Sequence, residues 1–495
     1  MTTAPLPVAV IGAGPVGLAA AAQLLARGET PLVLEAGPAV GASIREWAHV
    51  RMFSPWRYNV DAAAATLLRA AGWSAPSDDE IPTGGELVAR YLEPLAALPA
   101  LSPHIRLGAR VVAVTRRGFD KVRTAGRDAQ PFVLRIERSD GAQETIEARA
   151  VIDASGTWRT PNPAGADGLP AIGEGDAADR VASGIPDVRA QRERYAGRTT
   201  MVVGGGHSAL NALIDLAALR DADPATRIIW VMRKDDIDAA FGGEQADALE
   251  ARGALGSAAR ALVEGGAVQV LSPFRIARIE RRADNGLTVT GDLRGSERRV
   301  DADRMIVATG FRPDLAMLRE IRLAIDPWLE SSGTIGPLID PNLHSCGTVR
   351  PHGARELAHP ERDFYIAGMK SYGRAPTFLL ATGHEQARSI VAALCGDAAA
   401  AARVELVLPE TGVCSTRPKA AKAEGAASGC CGGPATVDAT ACCAADETAK
   451  AEGQTGCGCG PEPAKAAAAP EPERVARVAV RYAKTTTGCC GSAAS

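Results

Sequence analysis

Two glycine-rich segments, far apart in the chain, limit the possible folds more than any other feature of the sequence. The first occupies residues 12–17 and the second residues 204–209, and each follows a short apolar run that reads as a buried strand. A strand that enters a helix through such a turn leaves backbone N–H groups free to hold a phosphate. One unit of this kind binds one dinucleotide, so the sequence predicts two bound dinucleotides.

The first segment, which we call the first cradle, carries its glycines in the context that makes the pattern specific. Residues 7–11 read as the strand and residues 16–27 as an Ala- and Leu-rich helix. Gly12 permits the tight turn, Gly14 lets the backbone approach the pyrophosphate, and Gly17 lets the helix pack against the strand. The positive end of the helix dipole then faces the phosphate charge.

The second segment, the second cradle, has the same organisation, with a helix predicted over residues 209–220. It ends in Ala209, a residue that is accepted in place of the third glycine. His207 lies inside this cradle. It could contact a bound nicotinamide, and a structural or solvent-facing role is the alternative. The predicted phosphate-binding residues here are Gly204, Gly206, Ser208 and Ala209.

The two units differ at the end of their second strand. In the first unit, the strand at residues 31–34 is followed by Glu35, whose carboxylate is placed to accept hydrogen bonds from a ribose 2′-hydroxyl. In the second, the strand at residues 227–232 is followed by Arg233 and Lys234. A carboxylate would repel a 2′-phosphate, whereas arginine binds it with paired hydrogen bonds. The pattern favours NADPH over NADH, with ordinary solvent-exposed charges as the alternative.

Length and charge exclude several classes of function. The 495 residues suffice for two or three domains with sizeable cores. The formal net charge of −3 gives no reason to expect nucleic acid as a partner. No apolar run reaches the ~18 residues needed to span a bilayer, and the N-terminus enters a strand without a signal peptide. We therefore expect a cytoplasmic protein that binds neither membrane nor nucleic acid.

The cysteines are concentrated in the C-terminal part of the chain. None of the 11 precedes Cys346, and nine lie between Cys414 and Cys490. The residues around them are mainly Ala, Gly, Lys, Glu, Thr and Pro, which cannot bury enough apolar surface to offset the entropy of ordering. We predict that residues 397–495 form a low-complexity, largely disordered tail.

Pairs of neighbouring cysteines in this tail suit soft, thiophilic ions such as trivalent arsenic, Hg(II) or Cu(I). A structural zinc site normally has two CxxC halves, which the tail lacks. The alternative is that the tail scavenges metal non-specifically or has no role. The predicted soft-metal or metalloid ligands are Cys430, Cys431, Cys442, Cys443, Cys457, Cys459, Cys489 and Cys490.

The order of the strands predicts one domain inserted into another. Buried strands at residues 150–153 and 304–308 end in small-residue turns that contain Gly156 and Gly310, and the second returns the chain to the first domain. An antiparallel pair is predicted at residues 132–137 and 145–148. The predicted divisions are residues 1–165 and 301–396 for a discontinuous first domain, 166–300 for the inserted domain and 397–495 for the tail.

These motifs resemble those of the two-dinucleotide-binding-domain flavoproteins, which include the pyridine nucleotide-disulfide reductases and the flavin-containing monooxygenases. The resemblance rests on both cradles, Glu35, and residues 308–310 and 365–368. It implies an α/β fold of two Rossmann-like, three-layer ββα-type domains, with the nicotinamide domain inserted in a discontinuous FAD domain. FAD would occupy the first cradle and NADPH the second. Relatives commonly have an Asp where this chain has Met369.

The resemblance also implies the cofactor-binding residues, while no catalytic residue is assigned. Residues 45–61 place four aromatic side chains among three arginines, a wall that could cap the flavin ring, with ordinary inter-domain packing as the alternative. The predicted cofactor-binding residues are Gly12, Gly14, Gly17, Glu35, Arg45, Gly156, Gly204, Gly206, Ser208, Ala209, Arg233, Gly310 and Gly368.

The disulfide reductases that this chain resembles need a redox cysteine pair soon after the first cradle or inside the nicotinamide domain. This chain has no cysteine in either region. Without a thiolate, attack on a substrate disulfide is excluded. Flavin-containing monooxygenases, which oxygenate soft sulfur or nitrogen atoms, need no protein nucleophile. Two of their elements are altered here, at residues 41–47 and 182–188.

The tail resembles those of proteins of arsenic and mercury detoxification, and flavoprotein monooxygenases are associated with arsenic resistance. We therefore expect an FAD-dependent, NADPH-using oxidoreductase, a monooxygenase that acts on a soft heteroatom or a trivalent arsenical with molecular oxygen. The alternative is an NADPH oxidase or reductase that anchors a soft-metal-binding tail. Assembly into a homodimer is left open.

Overall fold

The computed structural model describes residues 5–244, 247, 249–342, 352–376 and 378–406. The predicted tail ligands, from Cys430 to Cys490, lie outside these residues, as does Cys346. Cys395 is the only cysteine in the part that is described. Among the helices of that part, none combines the length and apolarity needed to cross a membrane.

Within these ranges the strands form two parallel sheets of five strands and two antiparallel sheets of three. In chain order they are β1 (Val8–Ile11), β2 (Pro31–Leu34), β3 (Ile105–Arg106), β4 (Ala109–Arg116), β5 (Phe132–Arg138), β6 (Gln143–Ala148), β7 (Ala150–Asp153), β8 (Val181–Ser183), β9 (Thr199–Val203), β10 (Arg227–Val231), β11 (Gln269–Leu271), β12 (Phe274–Arg281), β13 (Leu287–Leu293), β14 (Ser296–Ala302), β15 (Arg304–Val307) and β16 (Phe364–Ile366).

The helices, in the same order, are α1 (Pro15–Ala26), α2 (Ala42–Arg45), α3 (Ala62–Ala70), α4 (Gly84–Leu87), α5 (Glu93–Ala96), α6 (Arg192–Tyr195), α7 (His207–Ala222), α8 (Asp238–Phe241), α9 (Glu250–Glu264), α10 (Gly336–Ile339), α11 (Leu380–Leu394) and α12 (Ala398–Ala402). Short 3-10 helices include Trp56–Tyr58 and Gly368–Tyr372, and a π-helical turn spans Val88–Leu92.

The first parallel sheet has the strand order β16-β7-β1-β2-β3. Strand β1 lies at its centre, with Ile11 opposite Leu34 on one side and Asp153 on the other. All four residues of β1 and of β7 are buried, as apolar runs predict for strands covered on both faces, although β7 ends in Asp153. The first cradle therefore starts at the carboxyl edge of the sheet.

The second parallel sheet has the order β11-β10-β9-β15-β8, and the second cradle leaves the carboxyl end of β9. All of its strands lie between β7 and β16 in the chain, so this sheet is inserted between two strands of the first. The predicted α/β fold, with two Rossmann-like units and one inserted in the other, is confirmed.

One strand lies in a different sheet from the one expected. We assigned residues 301–396 to the returning first domain, but β15 pairs with β9 and with β8 in the second sheet. The predicted boundary at residue 300 is therefore wrong for this strand. An apolar run shows that a strand is buried, and it does not show which neighbours the strand pairs with.

The two antiparallel sheets are β4-β5-β6 and β12-β13-β14. The predicted pair at residues 132–137 and 145–148 is confirmed as β5 and β6, where Phe132, Leu134 and Ile136 are fully buried. Strand β4 adds a third member that the turn signal between β5 and β6 did not predict. The alternation of buried and exposed residues is that of a sheet covered on one face.

Helix α1 connects the first cradle to the core of the first sheet. Its residues from Val16 to Leu24 are buried, and it packs against α11 and α3. Helix α11 begins at Leu380, after the 3-10 helix Gly368–Tyr372.

Residues 397–406, which we assigned to the disordered tail, are structured as far as the description extends. The Asp397 carboxylate accepts a hydrogen bond from the Ala400 N–H and caps α12, and Ala400 is 3% exposed. Ser389 of α11 donates to the Ala401 carbonyl at 2.6 Å. The run of alanines reads as low complexity, but alanine is the best helix former and packs closely.

Candidate functional site

The first cradle is a turn in which glycines are required by space. Gly12 has φ +101°, and a Cβ there would lie 2.9 Å from the Ala154 carbonyl oxygen. A Cβ at Gly17 would lie 2.0 Å from the Gly12 carbonyl oxygen. The turn, the start of α1 and the chain after β7 are thus in direct contact, as predicted for the first and third glycines.

The N-terminus of α1 is open to an anion. Its N-cap is Gly14; within the described residues no side chain caps it, and the first turn carries no acidic residue. A Cβ at Gly14 would meet no atom within 4 Å, so open space lies over the first turn. Free N–H groups and the helix dipole at this point fit the pyrophosphate of FAD.

Glu35 lies beside the first cradle. Its Oε2 accepts a hydrogen bond from the Ala13 N–H at 2.7 Å, and its Oε1 accepts one from the Gly37 N–H at 2.8 Å. These bonds orient the carboxylate at the end of β2, and each oxygen retains acceptor capacity. The predicted contact with a ribose hydroxyl remains a prediction with suitable geometry.

The second cradle repeats this construction. Gly204 has φ +131°, and a Cβ there would lie 2.3 Å from the Ala308 carbonyl oxygen. Gly206 is the N-cap of α7, with open space over it and no capping side chain in the described chain. Ser208 lies in the first turn of α7, and Ala209 is fully buried. The arrangement fits a second pyrophosphate.

The end of β10 lacks the carboxylate that follows β2. The Gly12 N–H donates to the Leu34 carbonyl, and the Gly204 N–H donates in the same way to the Val231 carbonyl. Met232 therefore takes the place that Glu35 has in the first unit, and it is buried. After it, Arg233 is exposed and donates to the Ala166 carbonyl at 3.2 Å, and Lys234 is exposed too.

Gly156 and Gly310, both predicted to bind a cofactor, lie where the chain passes between the sheets. Gly156 follows β7, where the chain leaves the first sheet, and Gly310 follows β15, where it leaves the second. The rings of Trp158 and Phe311 join these two passages with centroids 4.9 Å apart. Trp158 also donates from Nε1 to the Glu46 carboxylate at 2.8 Å, which ties both passages to the residue that follows α2.

Gly368 lies next to the first cradle. Its N–H donates to the Gln386 side-chain oxygen at 2.7 Å, and a Cβ there would lie 3.3 Å from Val16 at the start of α1. The chain after β16 thus adjoins the N-terminus of α1. Met369 follows at the position where relatives commonly have an Asp.

A buried ion pair, which the sequence reasoning missed, joins the same strand ends. Lys370 Nζ lies 2.7 Å from Asp153 Oδ2, and the two residues are 2% and 0% exposed. Ser155 donates from Oγ to Asp153 Oδ1 at 2.6 Å and accepts from Lys370 Nζ at 3.0 Å. The available signal was an Asp at the end of an otherwise apolar strand.

Arg45 lies in α2, and its guanidinium already contacts other groups of the protein. Its Nε donates to the Val40 carbonyl at 3.1 Å, and its Nη2 lies 2.6 Å from Glu93 Oε1 in a half-exposed ion pair. Because the Gly41 N–H donates to the Ala13 carbonyl, α2 adjoins the first cradle. Contact between Arg45 and a cofactor remains a prediction.

The aromatic and cationic segment at residues 45–61 reaches the second cradle. The ring of Phe53 meets the imidazole of His207 edge-on, with centroids 5.0 Å apart. Burial, with a smaller contribution from the Arg252 guanidinium, lowers the pKa of His207 to about 4. The imidazole is therefore neutral at pH 7, and the segment contacts the second cradle through this ring pair.

Other side chains of the segment line a cavity beside α3. The cavity has a volume of about 370 Å³, and its walls include two tryptophans, Trp56 and Trp73, and two arginines, Arg57 and Arg69. The segment thus contributes both to a cavity and to the second cradle. His384 is buried on α11, and burial lowers its pKa.

Comparison with known protein families gives one match. The model described as "Pyridine nucleotide-disulphide oxidoreductase" covers residues 9–333 of this chain. The match includes both cradles and both passages between the sheets. No curated protein sequence matches the chain.

Several solved structures share the fold. The bacillithiol disulfide reductase Bdr (YpdA) from Bacillus cereus is 20% identical, with a TM-score of 0.59 over 79% of this chain and 99% of that chain. DfoA bound to FAD, the cadaverine monooxygenase from Erwinia amylovora, is 13% identical, with a TM-score of 0.55 over 85% and 100%. The ornithine N-hydroxylase KtzI from Kutzneria sp. 744 is 17% identical, with a TM-score of 0.53 over 79% and 99%.

Proposed function

The chain belongs to the pyridine nucleotide-disulphide oxidoreductase family, and from this premise we propose that it is an NADPH-dependent flavoprotein monooxygenase. Its substrate is a small molecule with a soft heteroatom or a trivalent arsenical. In the proposed reaction NADPH, a proton, O₂ and the substrate are consumed, and NADP⁺, water and the oxygenated substrate are released.

Membership of the family makes the chain an oxidoreductase that uses FAD and NADPH. The expected oxidoreductase activity and the expected cofactors are therefore confirmed, whereas the monooxygenase reaction is part of the proposal. The open first turns of α1 and α7 fit the cofactor phosphates, and we propose that they bind there.

The observation that carries the monooxygenase proposal is the absence of any cysteine before Cys346 in a chain with two cradles. A reductase that relays electrons through a protein disulfide needs two thiols beside the flavin. The whole of the sequence that forms β1 to β15, with both cradles, has none. Electrons therefore pass from NADPH through the flavin to a small acceptor without a sulfur relay from this region.

Cys395 does not replace such a pair. Its thiol lies 4.0 Å from the Glu29 carboxylate, beyond the C-terminal end of α1, whereas the first cradle is at the N-terminal end. The 12 residues of α1 separate the two ends by roughly 18 Å at 1.5 Å a residue. Burial, and then Glu29, raise the pKa of the Cys395 thiol, so it is protonated and a poor nucleophile at neutral pH.

The side chains of the site bind and orient, since the cofactor supplies the redox chemistry when it is bound. The N–H groups after Gly14 hold one pyrophosphate, and Glu35 accepts from the ribose. The N–H groups after Gly206 hold the other, and Arg233 binds the 2′-phosphate. Phe53 packs on His207 of the second cradle and so places the aromatic segment beside the proposed nicotinamide site.

The likenesses in fold are compatible with this choice. DfoA is named as a cadaverine monooxygenase and KtzI as an ornithine N-hydroxylase, whereas Bdr is named as a disulfide reductase. All three share the architecture, so the fold does not separate the activities. The distribution of cysteines favours the first two.

The cysteine-rich tail supports the metalloid part of the proposal. Nine cysteines lie between Cys414 and Cys490, outside the described residues. Thiolates bind soft ions, and a tethered binder raises the concentration of its ligand near the site. Thiols stay reduced in the cytosol, and we propose that the protein acts there.

The second candidate function is an NADPH oxidase or reductase that serves to anchor the tail. The same tail cysteines favour it, because tight binding alone would protect a cell from a soft ion. In this case NADPH, a proton and O₂ give NADP⁺ and hydrogen peroxide, and the arsenical is bound without being changed.

The test compares the full-length protein with a variant in which the eight paired tail cysteines are replaced by serine. NADPH consumption, hydrogen peroxide and pentavalent arsenic are measured with and without arsenite. The proposal predicts arsenite-stimulated NADPH consumption with matching formation of pentavalent arsenic. Unstimulated consumption that appears as peroxide, with arsenite bound only when the tail cysteines are present, would support the second function instead.

The domain divisions are part of the proposal, with one change from the sequence. We assign the FAD domain to residues 1–165 and to the chain after β15, and the NADPH domain to the chain between, which now includes β15. We leave assembly into a homodimer open, and sedimentation velocity would measure the oligomeric state.

A further inference from the structure

The structure brings an arginine from a distant hairpin to the end of β10. Arg294 lies at the tip between β13 and β14, where the chain turns back through Gly295. It belongs to no motif in the sequence. The tip adjoins Arg233 and Lys234, the residues predicted to face the 2′-phosphate.

Hydrogen bonds place the hairpin tip against these residues. The Arg294 guanidinium donates from Nη2 to the Ser272 carbonyl at 3.3 Å, and the Ser272 hydroxyl donates to the Lys234 carbonyl at 2.5 Å. One residue therefore links the Arg294 side chain to the backbone of Lys234.

A second contact fixes the same arrangement through the backbone. The Phe274 N–H donates to the Met232 carbonyl at 2.7 Å, and Phe274 is paired across the sheet with Leu293, the residue before Arg294. The last residue of β13 is thus held next to the end of β10. The position of the tip does not depend on one exposed side chain.

Three cations at this point have no carboxylate partner among the described residues, although Asp235 and Asp236 follow Lys234 in the chain. Arg233, Lys234 and Arg294 are all exposed, and in the described part of the chain none of the three forms an ion pair with a carboxylate. In contrast, Arg275 in the same sheet lies 3.3 Å from Asp292. A bound dianion would give these cations the partner that the described part of the protein does not supply.

The strand end is also where the 2′-group of the adenine ribose lies in a unit of this kind. Met232 occupies the place of the carboxylate that would bind a free 2′-hydroxyl, and it presents no charge to repel a phosphate. An anion over Arg233 and Lys234 would lie within reach of the hairpin tip.

We propose that Arg294 is a specificity residue that binds the 2′-phosphate of NADPH together with Arg233. This rests on the proposed binding of NADPH at the second cradle. A guanidinium offers two parallel N–H donors to phosphate oxygens, so it recognises the phosphate by geometry as well as by charge. NADH lacks the phosphate and gains nothing from Arg294.

The test is the R294Q variant of the full-length protein, with R298Q as its matched control. Arg298 lies on β14 of the same hairpin and is exposed, so both variants remove one positive charge from one element. Binding of 2′,5′-ADP is measured by calorimetry, and KM is measured for NADPH and for NADH.

The proposal predicts that R294Q weakens 2′,5′-ADP binding and raises KM for NADPH by about tenfold, the effect of one charge-assisted hydrogen bond. KM for NADH and the thermal midpoint stay unchanged, and R298Q leaves all four values as in the wild type. R294K keeps the positive charge but lacks the two parallel N–H donors of the guanidinium, so it should give an intermediate KM for NADPH.

Two outcomes would overturn the inference. If R294Q binds 2′,5′-ADP as the wild type does, while the wild type prefers NADPH, Arg294 has no part in recognition. An equal loss in R294Q and R298Q would mean a general electrostatic effect. A wild type that fails to bind 2′,5′-ADP would instead contradict the proposed NADPH site itself, before any variant is compared.

Discussion

Gly14 and Gly17 lie on the same turn of the first cradle but are required for different reasons. A Cβ at Gly17 would overlap the Gly12 carbonyl oxygen, so glycine there permits the fold. A Cβ at Gly14 would enter open space, the space that we assign to the pyrophosphate. One position is thus limited by the protein itself and the other by its ligand.

We predict that Gly17→Ala lowers the free energy of unfolding of the cofactor-free protein by about 1–3 kcal/mol, since the added methyl overfills a packed contact. Gly14→Ala should leave that free energy unchanged and weaken FAD binding by roughly tenfold, because a contact to a charged group is lost. Urea unfolding and flavin titration measure the two effects. Equal destabilisation by both substitutions would contradict the assignment of the space over Gly14.

His207 makes stability depend on pH. Its pKa is lowered from 6.5 to about 4, chiefly by burial, so the unfolded chain binds more protons than the folded chain between these values. Stability therefore rises with pH: the contribution is present above pH 6.5 and is lost as pH falls toward 4. The urea midpoint should decline across this window.

The His207→Asn variant should show a shallower decline, because it removes one titrating group. His359→Asn should act in the same direction, since burial lowers the pKa of His359 to about 4 as well. An unchanged slope in both variants would show that neither imidazole is buried as described.

At the scale of elements, the pair Asp153–Lys370 joins two neighbouring strands at their carboxyl ends. Asp153 ends β7, and Lys370 lies in the 3-10 helix that follows β16. Two charges removed from water need each other, because either one alone would be a buried, uncompensated charge. The pair holds the chain after β16 against β7, next to the first cradle.

We predict that Lys370→Met lowers the free energy of unfolding by about 3–5 kcal/mol, because it leaves Asp153 buried without a partner. Arg106→Met, which breaks an exposed pair with Glu144 at 3.7 Å, is the control and should cost less than about 1 kcal/mol. Replacing both members, as Asp153→Leu with Lys370→Met, should restore part of the loss. Urea unfolding measures all three, and similar small losses for Lys370→Met and Arg106→Met would contradict the account.

At the scale of the whole molecule, two parallel sheets each present a cradle at a carboxyl edge. Residues 45–61 leave α2, beside the first cradle, and touch the second through Phe53 and His207. The sheets are further joined where Trp158 packs on Phe311. The sites for the two cofactors are therefore connected by one stretch of chain and by one aromatic contact.

The cradles could be predicted from the sequence because their requirements are local. A side chain at Gly12, Gly17 or Gly204 would clash with backbone atoms of the same turn or of the chain that follows the neighbouring strand. The spacing of the glycines in the sequence is therefore enough to predict these turns. The charged residues that follow β2 and β10 could be predicted for the same reason, because they lie at a fixed distance in sequence from each cradle.

Other features depend on contacts between distant parts of the chain. The pairing of β15 with β9, the ion pair between Asp153 and Lys370, and the approach of Arg294 to Lys234 join residues that no spacing relates. A single sequence shows that such residues are apolar or charged, and it does not show which of them meet.

The central claim is that NADPH reduces the bound flavin without a protein thiol. Its most direct test replaces all 11 cysteines by serine in the full-length chain and mixes the purified variant with NADPH in the absence of oxygen. We predict that the variant binds FAD and that its flavin absorbance bleaches at the rate of the wild type. A protein that refuses FAD, or a flavin that is bleached in the wild type but not in the variant, would contradict the claim.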